Sequence, residues 1–99
     1  DRPDILFLTL RQNGLLCAIG ALKTLGRDEG EVKSMRTASA FLGTGAGRAM
    51  LEAIVAQARL RGMKRLLLET GRSADFAAAN ALYDRAGFVA CGPFGGYPD

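Results

Sequence analysis

Between Phe41 and Met50 the chain reads FLGTGAGRAM, three glycines alternating with small residues just before the apolar pattern becomes helical. Ala46, Ala49, Met50, Ala53, Ile54, Gln57 and Ala58 recur at helical spacing, while Arg48, Glu52 and Arg59 fall elsewhere around the axis. The spacing predicts a helix that stops at Gly62, after the basic turn RLR. Any fold proposed for this chain must place a bare backbone at the mouth of that helix.

Upstream, ILFLTL (Ile5 to Leu10) and LLCAIGALKTL (Leu15 to Leu25) flank RQNG, whose Asn13-Gly14 pair is a strong hairpin signal. After a turn at Gly26 to Gly30, EVKSMRT (Glu31 to Thr37) reads as a third strand. Alternation would put Val32, Ser34 and Arg36 on one face and Glu31, Lys33, Met35 and Thr37 on the other. Downstream, KRLLLET (Lys64 to Thr70) has the flat hydrophobicity of a buried strand. Ser73 or Asp75 is placed to cap a second helix over Phe76 to Ala86, which Gly87 stops. Phe88 to Ala90 begins another strand, and CGPFGGYPD has turn character. The order β-β-β-α-β-α-β predicts an α/β fold, a mixed α+β sheet with helices packed on it. With 99 residues, 48% hydrophobic and 23% charged, one domain over 1–99 is expected.

Thirteen Lys and Arg against 10 Asp and Glu give a net charge of +3, and the basic residues are scattered, so nucleic-acid binding gains little support. There is no histidine, and Cys17 and Cys91 lie in apolar stretches without CxxC spacing. No metal site is expected, and both thiols read as buried and reduced in a cytoplasmic protein. Neither a signal-peptide core nor a run of 18 apolar residues is present, so secretion and membrane spanning are not expected. A start at Asp1 without an initiator Met suggests preceding residues.

Glycines at 43, 45 and 47 let backbone N–H groups converge, and the positive end of a helix adds to the attraction for a phosphate. Two familiar phosphate loops lose on spacing. The GxxxxGK(S/T) loop lacks its Lys-Ser/Thr pair, and GxGxG is not the GxGxxG that follows the first strand of a dinucleotide fold. A turn that serves only structure, with a close helix-sheet contact, remains the alternative on the loop alone.

Four ordered segments change that balance. LGTGAG (Leu42 to Gly47), GEVKSM before it, LLLETG (Leu66 to Gly71) and ALYDRAGFVACGPFGGYPD from Ala81 resemble the coenzyme loop and the GE(L/V)KRM, LETG, LYxRxGF and GPFxxY segments of a bacterial subgroup of the GCN5-related N-acetyltransferase (GNAT) superfamily. The resemblance runs over nearly the whole chain. It departs at Leu42, where the family carries Gln or Arg, and at Phe76, where many members carry Asn. It implies the acyl-CoA N-acyltransferase fold, with a sheet that opens between Glu31 to Thr37 and Lys64 to Thr70. Such domains usually begin with a further strand and two helices and end with one more strand, so the chain is expected to lack those parts.

The resemblance further implies acetyl-CoA as cosubstrate. Backbone groups around Met35 and Thr37 would pair with its pantetheine arm, and the amides of Gly43, Gly45, Gly47 and Arg48, in a loop with Leu42 and Thr44, would receive its pyrophosphate. Acetyl transfer to an amine needs a neutral nitrogen, a polarised carbonyl and a proton for the departing thiolate. Tyr83 matches the family's general acid, against a purely structural role in packing its helix under the sheet. Glu31 is the candidate base and Glu69 the alternative. An amide near Met35 would polarise the carbonyl if the strand bulges there. Arg72 and Arg85 read as solvated surface or as contacts to an acceptor's carboxylate. With both cysteines read as core, direct transfer in a ternary complex to a small-molecule or amino-acid-like amine is expected. The alternatives are a CoA-binding module without catalysis and a nucleotide-phosphate binder. A sheet with an exposed edge could pair with a second copy, which makes a homodimer one expectation.

Overall fold

The computed structural model describes residues 4–71 and 73–91. Arg72 and the segment GPFGGYPD therefore lie outside the described residues. Two units are distinguished, Asp1–Glu69 and Thr70–Asp99.

In the first unit, β1 (Ile5–Gln12) and β2 (Leu15–Thr24) form the expected hairpin. Asn13 and Gly14 both take positive φ, 53° and 79°, as a tight two-residue hairpin requires. β3 (Glu29–Thr37) pairs antiparallel with β2, and β4 (Arg65–Leu68) pairs parallel with β3, giving the order β1-β2-β3-β4. The helix α1 (Ala46–Leu60) supplies the crossover between β3 and β4 and packs across β1, β2 and β3.

Two readings of faces are corrected. In α1 the buried residues are Ala46, Met50, Leu51, Ile54 and Ala58, while Ala49 and Ala53 are exposed. The four-residue repeat 46, 50, 54, 58 sets the stripe, and Leu51 draws the helix toward its own side because it buries far more apolar area than an alanine methyl. In β3 the alternation breaks. Lys33 lies opposite Ala21 but Arg36 lies opposite Ile19, so Ser34 and Met35 together face Gly20. This is a β-bulge, with Ser34 at φ 58°. One extra residue inverts parity, so Thr37, opposite Ala18, shares the face of Val32, and Arg36 joins Glu31 and Lys33.

Gly20 lies on the face that meets the helix. A Cβ there would come within 2.8 Å of Ile54 Cδ1 and 3.1 Å of Met50, so the missing side chain lets α1 settle onto β2. At its C-terminus, Gly62 (φ 77°) donates to Arg59 O (3.0 Å) and Met63 to Ala58 O (3.0 Å), the paired bonds of a Schellman motif. The Met63 thioether then packs over Gly30 at the start of β3. The amides of Lys64 and Arg65 both donate to Asp28 O, at 2.6 and 3.1 Å, which aligns β4 with β3.

In the second unit, a 3-10 turn (Ala74–Phe76) leads into α2 (Ala77–Arg85). Ser73 precedes the turn, but neither it nor Asp75 makes a side-chain cap, so that expectation fails; the 3-10 turn closes instead through the backbone, Phe76 N–H donating to Ser73 O at 3.0 Å. Residues 88–91 form no strand. The Phe88 amide donates to Tyr83 O (3.0 Å), so its N–H is committed to the helix end and not to a ladder. Cys17 is buried as expected, whereas Cys91 is exposed, the described residues 88–91 forming no strand.

Ile54 is fully buried, so Ile54→Ala should cost about 2–5 kcal/mol in urea unfolding. Ala53→Ser, on the exposed side, should stay within about 0.5 kcal/mol. Equal losses would return Ala53 to the packed face.

Candidate functional site

The loop from β3 to α1 is built from short turns. After a 3-10 turn (Ser39–Phe41), Leu42 (φ −63°, ψ 137°) and Gly43 (φ 75°) have the dihedrals of a type II turn, closed by Thr44 N–H to Phe41 O at 3.3 Å. The Thr44 hydroxyl donates to the same carbonyl at 2.6 Å. Gly45 then enters the helix as its N-cap in the left-handed region, φ 90° and ψ 2°. Gly43 and Gly45 are thus required by backbone conformation, whereas Gly47 lies within α1 and needs no positive φ.

The first bond of α1 runs from Ala49 N–H to Gly45 O at 2.9 Å. Among the described residues, no backbone carbonyl accepts from Gly45, Ala46, Gly47 or Arg48, and no side chain caps the helix or places an acid in its first turn. These are the donors that a helix leaves unsatisfied, together with its partial positive charge. The Arg48 side chain runs the other way, its Nε donating to Glu52 Oε2 at 3.2 Å. What Arg48 offers at the loop is its amide. Leu42 is 66% exposed and brings apolar surface where the family pattern has a polar side chain.

β3 presents a second open feature. Its last rung with β4 is Val32 to Leu68, and from Lys33 to Thr37 it has no strand on that side among the described residues. Met35 and Thr37, both half-buried, lie on this stretch beyond the bulge at Ser34. The bulge is the element that the sequence reading left conditional. No residue type announces it, since serine at positive φ is uncommon and carries some strain.

Glu31 is 3% exposed, and its Oε2 lies 3.7 Å from Lys33 Nζ. Glu69, the alternative, is exposed. In the second unit, Tyr83 is half-buried and its ring meets Phe88 edge-on, with centroids 6.0 Å apart and planes at 66°. Burial raises the Tyr83 phenol above its ordinary pKa, so it keeps its proton through the neutral range. Arg85 is exposed. Sequence reasoning missed Asn80, whose side-chain amide donates to Gly71 O at 2.9 Å and ties α2 to the segment that precedes it. It stands one helical turn beyond Phe76 on the same stripe, a spacing that could have drawn attention to it.

The model of the acetyltransferase (GNAT) family matches residues 1–88. An uncharacterised N-acetyltransferase of Bacillus subtilis strain 168 is 42% identical over 95 residues, covering 96% of this chain and 63% of that protein. An IAA acetyltransferase of Azospirillum brasilense is 44% identical over 101 residues, covering 99% of this chain and 64% of that protein. The structure of a Klebsiella pneumoniae protein provisionally described as an acyl-CoA N-acyltransferase superposes with a TM-score of 0.87 at 32% identity, over 95% of this chain and 64% of its own. The chain spans less than two thirds of these relatives' length. No helix among the described residues is long and apolar enough to cross a membrane.

The raised Tyr83 value has a defined consequence for stability. The folded state keeps its phenolic proton to higher pH than the unfolded chain, so stability falls as pH rises through the unfolded value of about 10. Alkaline difference spectra of the protein against Tyr83→Phe should show the Tyr83 phenolate with its midpoint above pH about 10. A midpoint at or below that value would mean a solvated phenol.

Proposed function

Because the chain belongs to the acetyltransferase (GNAT) family, we propose that it acts as an acetyl-CoA-dependent N-acetyltransferase. The acetyl group passes directly to the amine of a small or amino-acid-like acceptor in a ternary complex, and residues 1–99 contribute to one domain. The observation that carries this reading is an open strand edge followed along the chain by an uncapped helix N-terminus. Among the described residues, no strand pairs with β3 from Ser34 to Thr37 on the side where β4 ends, and the amides at Gly45 to Arg48 have no backbone acceptor.

Those groups fit the coenzyme. A free strand edge offers carbonyls and amides to an extended, amide-bearing arm, and an uncapped helix start offers donors to a pyrophosphate. In this reading backbone groups of Met35 and Thr37 hold the arm, and the amides of Gly43, Gly45, Gly47 and Arg48 hold the pyrophosphate. Thr44 shapes the turn through Phe41 O, and Leu42 adds apolar surface beside it. When bound, acetyl-CoA supplies the activated thioester. An amide near Met35, displaced by the bulge, polarises its carbonyl. Glu31 takes the proton shed by the amine, directly or through water, as the C–N bond forms. Tyr83 gives its proton to the sulfur as the C–S bond breaks, and regains one from solvent. The name of the Azospirillum relative makes IAA a natural member of an acceptor screen beside simple amines.

Acetyl-CoA at about 100 times its dissociation constant should stabilise the protein by roughly 2.7 kcal/mol, while ATP and NAD leave its melting temperature unchanged. A response to ATP or NAD alone would turn the loop into a nucleotide site. With an accepted amine, Tyr83→Phe should lower kcat by about 10²- to 10⁴-fold and leave the acetyl-CoA Kd in place. Unchanged turnover would remove Tyr83 from the chemistry.

A further inference from the structure

We propose that Gly87 and Phe88 are positioning residues for Tyr83: the C-terminal closure of α2 is built around the tyrosine and fixes where its phenol stands. This rests on the reading of Tyr83 as the proton donor. Gly87 takes φ 98° and donates to Asp84 O at 3.1 Å, and the next amide, from Phe88, donates to Tyr83 O at 3.0 Å. Together they form a Schellman motif in which Tyr83 is the helix residue that accepts the outer bond. Such motifs commonly join the residue after the glycine to that acceptor by an apolar contact, and here the Phe88 ring meets the Tyr83 ring edge-on at 6.0 Å. Backbone and ring of Tyr83 are thus both held by one residue, five positions ahead in sequence.

The closure matters because little else in its own unit restrains α2. The helix has 9 residues, none of them fully buried, and no side-chain cap at its start. A helix this short is marginal by itself, and its last turn frays first. Tyr83 lies in that turn. Within the unit, the Asn80 side chain holds the middle of α2 to Gly71 O, and the Gly87-Phe88 closure holds the end. A small displacement of a proton donor is costly, because transfer depends on hydrogen-bond reach.

The test is a double-mutant cycle with a second readout that does not depend on turnover. Phe88→Ala should lower kcat about 10- to 100-fold with little change in the acetyl-CoA Kd, and Phe88→Leu, which keeps apolar bulk, should lose less. In a Tyr83→Phe background, Phe88→Ala should have almost no further effect on kcat. An equal loss in both backgrounds would overturn the proposal, since Phe88 would then act independently of the tyrosine. The second readout is the alkaline titration of the Tyr83 phenol, taken as the difference between each protein and its Tyr83→Phe counterpart. Phe88→Ala should shift it toward the ordinary tyrosine value, and an unmoved titration would also overturn the proposal. If Tyr83→Phe leaves turnover intact, the donor role fails, while the titration still decides whether Phe88 places the phenol. Gly87→Asn, which tolerates the left-handed region, should preserve both readouts better than Gly87→Val, and Phe88→Leu serves where Phe88→Ala does not fold.

Discussion

Gly20 is the point on which the first unit is organised. On the face toward α1 its missing side chain lets Ile54 and Met50 sit directly on β2. Across the ladder it stands opposite Ser34 and Met35, where β3 carries one residue too many. The helix seat and the strand bulge therefore coincide. Beyond the bulge no strand among the described residues pairs with β3 on the β4 side, and the chain turns through residues 38–45 into the helix whose inner face returns to Gly20. A larger residue at Gly20 would lift the helix where the strand is already irregular, so one side chain would disturb both features of the candidate coenzyme site.

The glycine loop has two layers of explanation, and they separate by residue. Gly43 and Gly45 occupy backbone conformations that other residues enter at a cost of roughly 1–2 kcal/mol, so the turn alone accounts for them. Gly47 and the absent cap are different. A chain selected only for helix stability would place a better helix former at Gly47. Here the nearest hydroxyl, that of Thr44, is committed to Phe41 O, and no acid stands in the first turn of α1. Among the described residues the donors at the start of α1 are thus left without a protein cap, which is the layer that a turn does not explain.

What the sequence made legible was largely what backbone chemistry forces into local residue choice. Asn13-Gly14, Gly62 and Gly87 each mark a positive-φ position, and each stands at the turn or helix end that its neighbours predicted. The order of elements followed from them and from the change in hydrophobic period. The bulge was not legible, because Ser34 carries no local sign that two residues must face one, and its effect on Thr37 and Arg36 is a matter of pairing with β2. The packed side of α1 was misread for a related reason, since alanines at the right spacing count as apolar but bury little, and Leu51 outweighs them. The fifth-strand reading of Phe88 to Ala90 failed because the Phe88 amide had a stronger local claim on it, the end of α2.

Both helices close with the same pair of backbone bonds, and the comparison shows how one device serves two ends. After α1 the residue beyond the glycine is Met63, whose thioether covers Gly30 and ties the helix to the start of β3. After α2 it is Phe88, which turns back onto the helix's own Tyr83. The first closure contributes to a core that already has Met50, Leu51 and Ile54 buried beneath the helix. The second ends a helix with no fully buried side chain, where the ring contact falls on Tyr83, whose phenol pKa burial raises. Packing that in α1 secures the fold is in α2 directed at a single ionisable group. A desolvated phenol at a closed helix end holds its proton to higher pH than a solvated one, and the Phe88 ring is the group that meets it there.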